Sequence, residues 1–331
     1  MAWPFRSLPL LCLALFPSSA SAMPATSLLQ SLESAAQLFA AHRDAVVRVL
    51  CLFHREDGTA VARMGSGFFF DGDGHVATTA GAIDGAEEIF VSYGHRSSRA
   101  HAIGSDAETR VAVLALDEAS PPYPCLSLGE GMELPPPLTP LLAIACEIGL
   151  DPAPSLGIVQ AEQICHGGNS FATSLIRSSL PSNAGAPGSP VFDLRGNFVG
   201  MLMASIPQVD GSFLFPARAL RRVLRDILPY GSVHHAYAGL DTRLERDEEG
   251  DFFAIVQAVV PHSPAAEANL CPGDRILAID DVPIRGPAEL CDAVFFALPG
   301  APLSLKIQRG GDIFRVALRM AIRRWDGQGA E

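Results

Sequence analysis

The chain has 331 residues, 48% of them hydrophobic, and a net charge of −12 from 36 acidic and 24 basic side chains. That is enough length and apolar material for two packed domains and a leader. The negative balance argues against a nucleic-acid or anionic-membrane surface, and Lys306 is the only lysine.

The first residues read as a secretory signal. Arg6 supplies a positive start, residues 8–16 form a short apolar run broken by Pro9, and Ala20-Ser21-Ala22 gives a small-residue cleavage site. Residues 1–22 are therefore expected to be removed, with Met23 leading the exported chain. The run is too short to span a bilayer, and every later apolar stretch is broken by charge, Gly or Pro. The expected location is periplasmic or extracellular, with no stable membrane span after cleavage. Within an N-terminal segment of residues 23–43, positions 27–42 are apolar at helical spacing, through Leu28, Leu29, Leu32, Ala36, Leu38 and Phe39.

From Ala45 the period changes. Short β-type runs fall at 46–53, 67–70, 89–92, 111–116, 141–145, 157–160, 191–194, 198–203 and 213–215, separated by Gly, Pro, Asn and Asp. Gly72-Asp73-Gly74 is a tight-turn signal. Many short strands of this kind predict an all-β barrel or sandwich over 44–230, closed by a helix at 217–228 rich in Arg and Leu. Pro229-Tyr230-Gly231-Ser232 reads as a linker. A smaller α+β unit follows over 231–323, with strands at 252–260, 275–279, 303–308 and 314–318 and helices at 264–269 and 287–297. Residues 324–331 form a tail.

Seven cysteines include Cys12 in the leader. The other six permit disulfides in an oxidising compartment, and Cys271–Cys291 is the pairing expected first because both fall in one small unit. Most of the others lie in apolar stretches, where a thiol packs as a small hydrophobe. No Cys/His spacing suggests zinc, so no metal and no cofactor are expected. Asp247-Glu248-Glu249-Gly250-Asp251 reads as a solvated hairpin tip and His234-His235 as a solvated pair.

Three blocks occur in order. They are Gly65-Ser66-Gly67-Phe68-Phe69-Phe70-Asp71-Gly72-Asp73-Gly74 running on to Thr78 and Asp84-Gly85-Ala86; Gly104-Ser105-Asp106 with Val111-Ala112-Val113-Leu114; and Gly188-Ser189-Pro190-Val191-Phe192-Asp193-Leu194-Arg195-Gly196. With the unit that follows them, they resemble the HtrA/Deg family of exported serine proteases, which pair a trypsin-like double β-barrel with a C-terminal PDZ domain. The implied fold class is mostly β.

The resemblance also implies where the catalytic residues should stand. The family's histidine falls at Gly81, its aspartate at Arg110 and its nucleophilic serine at Pro187. Gly81 cannot relay a proton, and Arg110 is a permanent cation that could not stabilise an imidazolium. Pro187 has neither a hydroxyl to attack with nor a backbone N–H for an oxyanion, a donor that contributes about 3–4 kcal/mol in a working site. Ser189 lies two residues further on, roughly 6–7 Å along an extended chain, too far for the same attack. No catalytic residue is therefore expected.

The second unit is better preserved. Tyr237-Ala238-Gly239-Leu240 resembles the loop with which HtrA-type PDZ domains cradle a C-terminal carboxylate, and Gly lets backbone N–H groups converge on an anion. The following strand would accept the peptide by β-augmentation. Leu290, Val294 and Leu298 on the last helix would line the apolar pocket. The resemblance thus implies an exported, non-catalytic module that binds C-terminal or unfolded peptide segments. A second reading is an inert subunit that assembles as a homo- or hetero-oligomer with HtrA-type proteases. A third is an active serine endopeptidase with relocated residues.

Overall fold

A computed structural model describes residues 25–54, 58–118, 120–166, 169–206, 211–246 and 252–323. The expected signal, the acidic run 247–251 and the tail 324–331 lie outside them.

Helix α1 (Ala25–His42) leads into β1 (Val46–His54), β2 (Ala60–Phe69), β3 (His75–Thr79), the single turn α2 (Ala80–Ile83), β4 (Glu88–Tyr93), β5 (Arg96–Ser105) and β6 (Val111–Leu116). Then come β7 (Pro140–Ala145), β8 (Ala153–His166), β9 (Asn169–Ser178), β10 (Pro190–Asp193), β11 (Phe198–Ile206), β12 (Gly211–Pro216) and α3 (Ala217–Tyr230). These strands close into two six-stranded antiparallel barrels, ordered β1-β2-β3-β6-β5-β4 and β10-β11-β12-β9-β8-β7. Strands β5 and β9 escape the sequence pattern because neither carries a long apolar run. Arg96, Arg99 and His101 of β5 face water, and its place is set by pairing with β4 and β6.

The third unit holds β13 (Ala236–Tyr237), β14 (Leu240–Arg246), β15 (Phe252–Val259), α4 (Pro264–Glu267), β16 (Arg275–Ile279), β17 (Val282–Pro283), α5 (Pro287–Phe296), β18 (Pro302–Arg309), β19 (Asp312–Arg319) and β20 (Ala321–Ile322). Its main sheet runs β14-β15-β16-β18-β19, which leaves β14 at an edge. Ser263 caps α4 by accepting the Ala266 N–H, with Pro264 at the first helical position.

One apolar core joins all three parts. Phe68, Phe192, Phe198 and Phe215 come from the barrels, Leu220, Val223 and Ile227 from α3, and Phe295 from α5. Burying one such ring contributes about 2 kcal/mol, so Phe295 fastens α5 to the second barrel. Helix α1 is pinned at its end, where His42 stacks on Phe192 with centroids 4.5 Å apart.

Four expectations are corrected. Helix α3 does not stop at Leu228 but runs through Pro229 to Tyr230. A proline in the last turn costs one hydrogen bond, and Gly231 at φ 70° closes the helix by donating to the Ile227 carbonyl at 2.8 Å. His235 is not solvated: it is buried against Asp106. Cys271 and Cys291 remain thiols with no disulfide between them; the Cys271 thiol is turned to the Asn269 carbonyl. Leu298 lies beyond the end of α5 and is exposed, so it does not line a helix face.

Candidate functional site

The cleft between the barrels holds a cavity of about 610 Å³. Gly81, Arg110 and Pro187 all line it, with Arg63, Ser182 and Phe215 among their neighbours. Three distant stretches of sequence therefore meet around one cavity.

Local hydrogen bonds explain the meeting. Gly81 is the second residue of α2, and the Ala80 N–H donates to the Arg110 carbonyl at 2.7 Å. Arg63 of β2 donates from Nη1 to the Gly81 carbonyl at 2.7 Å. A β-carbon added at Gly81 would lie 3.8 Å from Arg110 Nη2, so the guanidinium stands beside the space that a side chain at 81 would fill. Arg110 itself adopts φ 60°, an uncommon conformation for a non-glycine residue. Its closest acid is Asp84, whose Oδ2 is 3.6 Å from Nη2.

The Pro187 loop is clamped from the other side. The Ser66 N–H donates to the Pro187 carbonyl at 3.0 Å. Ser66 Oγ donates to the Gly185 carbonyl at 2.7 Å and accepts the Cys146 N–H at 2.8 Å, tying β2 to both neighbouring loops of the second barrel. Ser189, the closest substitute hydroxyl in sequence, is fully buried, and its Oγ donates to the Ala186 carbonyl at 2.6 Å. Among the described residues no histidine lines the cavity. His75 pairs with Asp71 at 2.6 Å and His101 with Asp117 at 2.7 Å.

Behind Arg110 sits a buried anchor that sequence reasoning missed. Asp106 accepts from the Thr109 N–H at 2.9 Å and Thr109 Oγ1 at 2.6 Å, and its Oδ1 lies 2.9 Å from His235 Nε2. Burial pushes the Asp106 carboxyl up, but the His235 contact and the Thr109 donors outweigh it and hold the group below the usual carboxylate range. The Arg110 N–H donates to the Asp106 carbonyl at 2.8 Å, so this turn sets where Arg110 stands.

A second missed group is Asp292 on α5. It accepts from Thr173 Oγ1 at 2.6 Å and the Ser174 N–H at 2.8 Å, and it pairs with Arg218 of α3. Thr173 lines the cavity, and Phe215, another lining residue, meets Phe295 edge-on at 6.4 Å between centroids. No motif could have flagged Asp292, because its partners are 74 residues away on α3 and more than a hundred away on β9.

The residues singled out in the third unit are also neighbours. Tyr237 in β13 pairs with Ala321, and the Ala238 carbonyl accepts the Ala265 N–H at 2.9 Å. Gly239 has φ 75°, and its carbonyl accepts the Val260 N–H at 2.8 Å and Ser263 Oγ at 3.1 Å. Leu240 opens the edge strand β14 opposite Val259. Leu240 and Val294 pack, partly buried, against the core that holds Leu290.

The chain matches the family model of the trypsin-like peptidase domain over residues 65–201 and that of the PDZ domain over residues 255–309. Similar proteins include the probable periplasmic serine endoprotease DegP-like of Halomonas elongata, 29% identical over 261 residues, 75% of this chain and 54% of that protein. The protein of the same description from Hahella chejuensis is 30% identical over 268 residues, 77% of this chain and 56% of that protein. The chain thus spans about half the length of these curated relatives. Among solved structures, the HtrA-type protease AlgW with tripeptide superimposes with a TM-score of 0.74 at 23% identity, over 89% of this chain and 99% of that one. The serine endoprotease from Yersinia pestis does so with a TM-score of 0.63 at 25% identity, over 88% and 98%.

The fold is thus mostly β, a trypsin-like double barrel followed by an α+β PDZ domain. The chain is HtrA-like, with its PDZ domain C-terminal to the peptidase fold. Its periplasmic relatives agree with an exported, periplasmic chain. Among the described residues no helix is long and apolar enough to cross a membrane.

Proposed function

We propose that this is a non-catalytic HtrA-like protein that binds peptide segments through its PDZ domain. Residues 44–230 form an inert protease unit in this reading, and residues 231–323 the PDZ unit. The observation that carries it is the composition of the cleft lining. Gly81, Arg110 and Pro187, the positions that the family resemblance assigns to its triad, line one cavity, and among the described residues no histidine lines it. Acyl transfer needs a nucleophile within hydrogen-bond reach of a base, and among the described residues the lining hydroxyls, Ser182 and Ser205 with them, have no lining histidine to act as one.

Peptide capture rests on Tyr237, Ala238, Gly239 and Leu240 as the carboxylate loop and on Leu290 and Val294 as the apolar pocket. The edge strand β14 supports it, because an unpaired edge accepts an extended peptide by strand addition. AlgW, the structural neighbour with peptide, points the same way.

Two measurements test the reading. The purified chain incubated with unfolded casein leaves it intact; turnover lost in Ser189→Ala overturns the inert assignment. C-terminal peptides bind, and their affinity falls on amidation and in Gly239→Ala, whose β-carbon would sit 2.1 Å from Ser263 Cβ. Binding indifferent to both changes removes the PDZ assignment.

A role as an inert subunit in a homo- or hetero-oligomer with HtrA-type proteases is the second reading. It is favoured by Leu29 and Leu32, which α1 leaves 61% and 46% exposed. Light scattering that gives a monomer, alone and with an active homologue, excludes it.

A further inference from the structure

The cleft has lost a triad and gained a cation. Arg110 contributes a cation to a cavity lined by the apolar side chains of Leu175, Met203, Phe213 and Phe215 and by polar ones that include Arg63, Glu108 and Ser182. Among the described residues no hydrogen bond engages that guanidinium, and Asp84 at 3.6 Å is a loose, half-exposed partner. Arg63 is already committed, to the Gly81 carbonyl and to the face of Phe53 at 4.4 Å. The acid on the lining, Glu108, is matched by Arg323 at 3.1 Å. Arg63 thus has one donor and its ring-facing side engaged, whereas the Arg110 guanidinium has no hydrogen bond among the described residues and stands beside the space left open at Gly81.

Two further observations concern what would sit there. Ser182 is one of the lining residues, and its Oγ is shut off from water and has no hydrogen-bond partner among the described residues. A buried hydroxyl without a partner costs about 1–3 kcal/mol, which a polar ligand atom would relieve only by drawing the hydroxyl out into the cavity. Strand β11 pairs with β10 only as far as Met201, yet Met203, Ala204 and Ser205 continue along the cavity. On that side, among the described residues, no strand covers them. An open edge selects an extended peptide over a fatty acid of the same charge and apolarity.

We infer that the cleft is a second carboxylate receptor that holds a peptide C-terminus. Arg110 binds the terminal carboxylate by paired charge-assisted hydrogen bonds. The last side chain, an apolar one, enters the space bounded by Leu175, Phe213 and Phe215, and the main chain lies along Met203–Ser205. The substitution that removed the catalytic aspartate thereby turns a substrate cleft into a site for peptide ends. The inference rests on the cleft being non-catalytic, and it is independent of whether the PDZ loop binds peptide.

The test is photo-cross-linking of the full chain with a benzophenone-bearing Ala-Ala-Leu peptide, followed by mass-spectrometric mapping. The free acid is expected to label residues 182–187 or 203–205, and the amide to do so at least tenfold less. Arg110→Asn removes the charge while tolerating the positive φ, and should weaken cleft labelling at least tenfold; Arg110→Lys should retain part of it. Equal labelling by acid and amide, labelling confined to residues 240–294, or labelling unchanged in Arg110→Asn overturns the inference. Octanoate that displaces the label more strongly than unlabelled Ala-Ala-Leu acid overturns the choice of a peptide. If Arg110→Asn does not fold, the acid and amide comparison on the unaltered chain still decides. Failure of the function proposed above is read separately, from casein turnover and from labelling of residues 240–294.

Discussion

His235 Nε2 lies 2.9 Å from Asp106 Oδ1, and both side chains are nearly closed to water. This contact joins the segment before the PDZ sheet to the turn that carries Arg110 at the cleft. The same segment is held a second time, because buried Arg222 of α3 donates to the His234 carbonyl at 2.9 Å. The two units therefore share a polar seam as well as the apolar contact made by Phe295.

The seam makes stability depend on acid. In the folded chain Asp106 ionises below its unfolded range, so its contribution is fully present above about pH 4 and is lost as pH falls through the folded value. Urea unfolding between pH 3 and 7 should show this loss. Asp106→Asn should be less stable at pH 7 by about 2 kcal/mol and should lose that part of the acid dependence. An unchanged pH profile in the variant would assign the acid sensitivity elsewhere.

Gly188 is predicted to be intolerant of any side chain. It adopts φ 95°, and a β-carbon there would lie 1.9 Å from the Ser66 carbonyl oxygen. Gly188→Ala should destabilise by about 3 kcal/mol or more, since steric overlap with backbone adds to left-handed strain. Chemical denaturation measures it; a loss under 1 kcal/mol contradicts the geometry. The family frame at 188–190 is thus kept by the fold, with no need of chemistry.

Asp292 should hold α5 on the second barrel. Asp292→Ala leaves Arg218 without its carboxylate and Thr173 and Ser174 without their acceptor. A loss of roughly 2–4 kcal/mol is expected, on the scale of charged hydrogen bonds of 1.5–3 kcal/mol each with partial repair by water. Limited proteolysis should cut between the units sooner than in the parent chain while the PDZ sheet stays protected. Identical cleavage rates would mean that Phe295 and His235 suffice.

Thiol reactivity should divide by burial. Burial raises the Cys51 thiol to about 11 and the Cys146 thiol to about 12, whereas Cys125 and Cys271 are exposed. At pH 8 iodoacetamide should alkylate Cys125 and Cys271 in the folded chain and spare Cys51 and Cys146 until denaturant is added. Rapid labelling of Cys146 would place it on a surface instead of under Ser66.

Much of this protein was legible in its sequence. The near-continuous apolar runs at 46–53 and 111–116 predict strands, and β1 and β6 are those strands. The three glycine-rich blocks carry the family frame, and at Gly67, Gly104 and Gly188 a β-carbon would collide with a neighbour. The polar strand β5 was not legible, because its order comes from the strands that flank it. Nor were the partners of Asp292 and of His235, whose bonds cross from 74 to 129 residues of chain.

By itself, then, the sequence determined the class of fold and singled out Gly81, Arg110 and Pro187 as the positions to compare. Local pattern suffices for that, since strand period and glycine turns are properties of neighbours in the chain. Only the tertiary structure decided that Gly81, Arg110 and Pro187 line one cavity, that Ser189 is sealed inside, and that Arg110 keeps donors to spare. Those are facts of burial and distance between remote segments. They arise where two barrels close on each other, and no short stretch of residues encodes them.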